Sequence, residues 1–101
     1  VSAKIKKGSN DSPPPSGRIP VFKAQFSQDI VWWARTQPNT LNKVLDLIEA
    51  IMEDPFQGIG KPEPLKYIYT NTWSRRITQE HRLIYRITQN RIYFLQARYH
   101  Y

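Results

Sequence analysis

Cysteine is missing from this chain of 101 residues. Its absence excludes disulfides, thiolate nucleophiles and cysteine-bound zinc, and it suits a reducing cytosol. Long apolar stretches are missing too. No segment approaches the roughly 18 consecutive apolar residues that a membrane helix requires. The first residues lack the apolar region of a secretory signal, so a cytoplasmic location with no membrane contact is expected. No cluster of carboxylates or histidines has the spacing of a metal site, so neither metal nor other cofactor is expected. Acidic residues are scarce, with eight against fifteen Lys and Arg.

The length fits one domain with a real but modest core. Charge is distributed unevenly along it. Residues 1–20 carry four basic and one acidic residue, residues 21–60 three and five, and residues 61–101 eight and two. A positive charge gathered at one end of a chain marks a surface that meets a polyanion. Nucleic acid is the first candidate and an acidic protein segment the second.

Residues 1–20 read as a tail, because Ser, Pro and Gly dominate residues 9–17 and three successive prolines can join neither a helix nor a central strand. The folded domain is expected over 21–101. A short strand is expected at 21–26. Ser27 offers an N-cap to a first helix at 28–36, with Ile30 and Trp33 facing inward. Pro38 breaks that helix. Asn39 or Thr40 caps a second one that runs to about residue 54, where Pro55 ends it. Its apolar stripe reads Leu41, Val44, Leu45, Ile48, Ile51 and Met52. Gly58 and Gly60 keep the following loop irregular.

Strand patterns follow at 65–69, 72–78, 82–88 and 91–99, separated by short breaks that suit hairpins. The expected architecture is α+β, with two N-terminal helices packed on one face of a mainly antiparallel sheet. Alternation assigns the faces. Trp73, Ile77, Leu83, Tyr85, Ile87, Tyr93, Leu95 and Ala97 should lie under the helices. Ser74, Arg76, Thr78, Arg82, Ile84, Arg86, Phe94, Gln96, Arg98 and His100 should lie on the open face.

Three segments hold residues suited to chemistry. In Lys61-Pro62-Glu63-Pro64-Leu65-Lys66, two prolines restrict the backbone around one glutamate, and a lysine at either end complements its charge. Composition alone reads this more readily as a stiff surface loop. In Trp73-Ser74-Arg75-Arg76-Ile77-Thr78, paired guanidinium forks suit phosphate oxygens, or else form a solvated face with cross-strand partners such as Glu80. His81 sits at a turn and reads as a capping or exposed residue. His100 is one residue from the end, at the tip of a strand pattern. Imidazole can give or take a proton near neutrality, and arginines surround it in the pattern, which points to chemistry on a phosphate. Trp32 and Trp33 read as packing residues.

These motifs, together with Glu80-His81-Arg82-Leu83-Ile84-Tyr85 and the ending Tyr99-His100-Tyr101, resemble the YoeB/Txe family of toxins in the RelE superfamily. The resemblance runs from about residue 21 to the end. It departs at Tyr67-Ile68-Tyr69-Thr70-Asn71, where the family has a more polar turn, and at Gln57, where a glutamate is common. It implies a RelE-like fold and an endoribonuclease that cuts mRNA in the ribosomal A site. It also implies a YefM-like antitoxin as partner and leaves homodimerisation open. By motif, Glu63 would be general base, His100 general acid and Arg82 the main cation at the scissile phosphate. Tyr101 would complete the catalytic set. Lys61, Lys66, Arg76 and Arg98 would hold the RNA. Base stacking on Tyr101 fits the way single-stranded RNA is read, with Tyr99, Phe94 and Trp73 as further aromatic candidates.

Two other function classes stay open. A basic sheet alone would make a translation inhibitor that occupies RNA or the ribosome without cutting. It would equally make an interaction subunit that receives an acidic antitoxin segment.

Overall fold

The computed structural model describes residues 17–67 and 69–99. In chain order the elements are β1 (Ile19–Phe22), α1 (Ala24–Thr36), α2 (Pro38–Glu53), β2 (Glu63–Pro64), β3 (Thr72–Arg76), β4 (Arg82–Ile87) and β5 (Arg91–Gln96). The five strands form one sheet in the order β1-β5-β4-β3-β2. β1 runs parallel to β5, and the other three pairings are antiparallel. No described helix is long and apolar enough to cross a membrane. The expected class holds, with one parallel pairing at the β1 edge.

α1 starts four residues before the expected position, with Lys23 as N-cap and no side-chain cap. Ser27 is instead inside the first turn, its N–H donating to the Lys23 carbonyl at 3.1 Å. Tertiary packing outweighs the capping preference. A helical Phe26 can join Phe22 and Phe94, with ring centroids 5.1–5.7 Å apart, and aromatic burial exceeds the roughly 1 kcal/mol of a cap. Pro38 does not merely end α1. It occupies the first turn of α2, where its missing N–H costs nothing.

The stripe of α2 is rotated from the expected one. Val44, Leu47 and Ile51 are fully buried, while Leu41, Ile48 and Met52 flank them and Leu45 is exposed. Both Leu45 and Leu47 fit an amphipathic period, and only the position of the sheet decides between them.

The sheet faces hold for β3 and β4. Leu83, Tyr85 and Ile87 lie in the core, and Arg76 pairs with Arg82 on the other face. β5 is corrected by one residue. Phe94 pairs with Tyr85 and is buried in the core, whereas Tyr93, expected there, pairs with exposed Arg86. Leu95, also expected under the helices, is the extra residue where the register shifts between Ile84 and Tyr85. This bulge then returns Ala97 to the core, where it was expected. Alternation read without the bulge assigns Phe94 to the wrong face.

β2 is a two-residue edge strand, and of the strand expected at 65–69 the described residues Leu65, Lys66, Tyr67 and Tyr69 lie in no strand. The Leu65 N–H donates to the Thr72 carbonyl, and the Tyr69 N–H folds back onto the Leu65 carbonyl. A proline can sit in β2 because an edge strand needs hydrogen bonds on one side only.

Candidate active site

Arg75 lies on the covered face and is fully buried. Its Nε donates to the Tyr85 hydroxyl at 3.1 Å, Nη1 to the Ile59 carbonyl at 3.1 Å, and Nη2 to the carbonyls of Asp54 at 2.6 Å and Gln57 at 3.1 Å. The Tyr85 hydroxyl in turn donates to the Pro55 carbonyl at 2.7 Å. Burial holds the Tyr85 phenol above its ordinary pKa of 10.0, partly offset by the hydrogen bond and charge of Arg75. Arg75 therefore does not clamp phosphate beside Arg76. It gathers the carbonyls of the loop that follows α2.

That loop delivers Glu63. Gly58, Gly60 and Lys61 adopt φ of +133°, +83° and +52°. A Cβ on Gly60 would meet Leu47 Cδ2 at 2.7 Å, so only glycine fits between α2 and β3. The Gly60 carbonyl accepts the Arg76 N–H at 2.7 Å. Glu63 then pairs with Ser74, Ser74 with Ile84, and Ile84 with Gln96. Cross-strand partners share a face, so the Glu63 side chain belongs to the face that the helices leave open. It is exposed, as are Lys61 and Lys66 on either side.

Arg76 and Arg82 pair two residues further along β3, about 7 Å from the Ser74 row at strand rise. Nη1 of Arg82 donates to the carbonyls of Thr78 at 2.9 Å, Gln79 at 3.0 Å and His81 at 3.2 Å. A single nitrogen makes these bonds and fixes the direction of the fork. Arg86 completes the open face, its guanidinium 4.9 Å from the Tyr93 ring. Among the described residues, none of Arg76, Arg82 and Arg86 forms an ion pair with a carboxylate. Glu80 approaches His81 instead, at 3.9 Å. Beside these cations lies an open groove of about 540 Å³, walled by Tyr69, Thr72, Ile84, Arg86 and Leu95.

Arg98 is not with the open-face cations. Its guanidinium lies 3.7 Å over the Trp32 ring on α1 and 4.7 Å over Tyr99, and Nη2 donates to the Tyr99 hydroxyl at 2.7 Å. The indole is a better partner for a planar cation than open water at this depth. Phe94, a further aromatic candidate, is buried and unavailable for stacking on RNA, and Trp73 is half-buried and edge-on to Phe56. His100 and Tyr101 lie outside the described residues, as do residues 1–16 of the expected tail.

The end of the described chain is nevertheless tightly held. Asp29, buried on α1, accepts the Ala97 N–H at 2.9 Å through Oδ2 and the Gln25 amide at 2.8 Å through Oδ1. Trp33 Nε1 donates to the Ala97 carbonyl at 2.7 Å. Two residues on, the Arg82 N–H donates to the Tyr99 carbonyl at 2.8 Å, so Tyr99 adjoins the Arg76–Arg82 end of the open face. Sequence reasoning missed Asp29. The signal was present: Asp29 shares the i, i+3, i+7 stripe with Phe26 and Trp33, and a carboxylate in such a stripe needs partners. It also missed His81, whose Nδ1 accepts the Tyr99 N–H at 2.7 Å. Only the tertiary contact identifies that bond.

Residues 22–101 match the model of a family described as YoeB-like toxin of bacterial type II toxin–antitoxin system. Toxin YoeB of Escherichia coli K12 is 44% identical over 81 residues, which cover 80% of this chain and 96% of the relative. Among solved structures, a YoeB/ParE toxin from Agrobacterium tumefaciens superposes with a TM-score of 0.76 at 41% identity, covering 82% of this chain and 99% of that one. YoeB from Staphylococcus aureus superposes as a dimer with a TM-score of 0.75, at 34% identity and covering 84% and 99% of the two chains. The same toxin in its YefM complex gives 0.72 at 34% identity, covering 83% and 98%.

Proposed function

This chain belongs to the YoeB-like toxin family of bacterial type II toxin–antitoxin systems, and we propose that it is a ribosome-dependent endoribonuclease that cuts mRNA in the A site. One observation carries the reading. The open face brings Glu63, Arg76 and Arg82 to the end of the sheet where Tyr99 is pinned, and His100 and Tyr101 follow Tyr99 directly in the chain. Binding alone needs positive charge. A carboxylate set among arginines that have no ion-pair partner among the described residues, with an imidazole next in sequence, is suited to proton transfer.

In the proposed reaction, Glu63 takes the proton of the ribose 2′-hydroxyl, whose oxygen attacks the adjacent phosphorus in line. The P–O bond to the 5′-oxygen breaks, and His100 protonates that leaving oxygen. The products are a 2′,3′-cyclic phosphate and a free 5′-hydroxyl. Positioned proton transfer of this kind contributes about 10²–10⁴-fold to the rate. Arg82, already oriented by its Nη1 bonds, and Arg76 stabilise the charge that gathers on the phosphoryl oxygens. Lys61 and Lys66 guide the RNA backbone, Tyr101 supports the reacting group, and the groove beside Arg86 offers room for an unpaired base. Arg98 serves the site through Trp32 and Tyr99 rather than by contact with RNA. The reaction is metal-independent and takes place in the cytoplasm.

A YefM-like antitoxin is the proposed partner, as for the relative solved in complex with YefM. Self-association is proposed on the same footing, from the relative solved as a dimer. Primer extension on a defined mRNA in a translation extract tests the reading. Wild-type protein should leave cuts with cyclic phosphate ends, and the Glu63→Gln/His100→Gln double variant should fold and leave the message whole. Unchanged cutting by the double variant would reject the site. Arrest by wild-type protein with intact mRNA would favour a non-cleaving inhibitor.

A further inference from the structure

We infer that His81 is a positioning residue that supports RNA cleavage by clamping Tyr99, the residue before His100 in the chain; the inference rests on the proposed role of His100. Tyr99 has φ +60°, a left-handed conformation that costs a non-glycine residue of order 1 kcal/mol and persists only where surroundings enforce it. Both its backbone groups are fastened. The N–H donates to His81 Nδ1 at 2.7 Å, and the carbonyl accepts the Arg82 N–H at 2.8 Å. The clamp therefore comes from two consecutive residues, one supplying an acceptor and the next a donor. Relaxation of Tyr99 to an extended conformation would break the bond and redirect the chain.

The imidazole is itself built in. Its side chain is only 12% exposed. It stands edge-on to Trp33 at 5.0 Å, tilted against Trp32 at 6.2 Å and against the Tyr99 ring at 5.3 Å. An Nδ1 that accepts a backbone N–H leaves the ring proton on Nε2, the side on which Glu80 Oε1 lies at 3.9 Å. Trp33, which packs on this ring, also holds the Ala97 carbonyl. The final strand is thus bolted at Ala97 by α1 and again at Tyr99 by His81 and Arg82. Such support matters because a misplacement of about 1 Å in a reacting group can cost 10²-fold in rate.

The experiment compares wild type, His81→Phe and His81→Asn. Phenylalanine keeps the aromatic packing and removes the acceptor. Asparagine offers an amide oxygen close to where Nδ1 stood. Single-turnover mRNA cleavage in a translation extract should fall about 10²-fold in His81→Phe, and His81→Asn should recover most of it. Amide exchange measured by NMR should show Tyr99 protected in wild type and His81→Asn and unprotected in His81→Phe, with the rest of the sheet unchanged in all three. Cleavage by His81→Phe at the wild-type rate, or equal Tyr99 protection in that variant, would overturn the inference. If wild-type protein does not cut at all, the proposed function fails, and the Tyr99 amide still decides whether the clamp exists.

Discussion

Arg75 and Arg76 are neighbours of the same type on one strand, and they have opposite fates. Arg75 is fully buried and donates four hydrogen bonds, three of them to loop carbonyls. Arg76 is exposed on the open face beside Arg82, with no described carboxylate to neutralise it. The period of two that defines a strand separates them. A cation under the helices has to become structural, because desolvation forces it to find oxygen partners. A cation on the open face retains its charge for a ligand. The two nonetheless cooperate, since the loop gathered by Arg75 is the one that leads into Glu63.

Substitution at both positions is the strongest way to break the comparison. Arg75→Leu removes the donor shared by three loop carbonyls and the Tyr85 hydroxyl, and should lower unfolding stability by about 3–5 kcal/mol, read from urea denaturation. Arg76→Ala should leave the denaturation midpoint where it was and reduce cleavage by about 10-fold or more in the translation extract. If Arg75→Leu were harmless to folding, the distinction between the two arginines would collapse.

Gly60→Ala sharpens the link between the two faces. It forces an alanine into φ +83° with Leu47 Cδ2 at 2.7 Å and the Arg76 carbonyl at 3.3 Å from the new Cβ. The expected cost is about 1–3 kcal/mol. Cleavage by the molecules that remain folded should fall as well, because Glu63 follows three residues later. A loss of stability with full specific activity would show that the loop does not position the carboxylate.

The smallest expected effect concerns the Tyr85 phenol in the same cluster. Burial raises its pKa in the fold above 10.0. In the unfolded chain it ionises near that ordinary value, so at higher pH the unfolded state releases a proton that the folded state keeps. Its contribution is therefore whole below about pH 10 and declines as the pH rises towards the raised folded value. Urea midpoints followed from about pH 8 to 11 should fall at the alkaline end for wild type and less steeply for Tyr85→Phe. Parallel curves would mean that the phenol is not held in its neutral form.

Much of the candidate site was legible before any coordinates. Arg76 and Arg82 fall on one face because alternation in β3 and β4 needs only local pattern; Glu63 was singled out by its motif, and only its pairing with Ser74 puts it on that face. Arg98 was misplaced because its partner, Trp32, lies on a helix more than sixty residues earlier. Phe94 was assigned to the wrong face because a bulge adds one residue without any glycine or proline to announce it. Leu45 and Leu47 were confused because both satisfy a helical period. The role of His81 was hidden because a histidine at a turn has no local partner that reveals its duty.

The amino-acid order alone determined two amphipathic helices, a run of hairpin strands, a basic C-terminal segment and the residue types of the candidate site. These depend on near neighbours, where a period of 2 or 3.6 leaves a readable trace. Tertiary structure alone decided which leucine of α2 is buried, that the covered arginine of the adjacent pair gathers loop carbonyls, and that Asp29 and His81 secure the end of β5. Those outcomes depend on groups far apart in the chain meeting in a dry interior. There a buried charge or backbone group must find a partner wherever the fold supplies one.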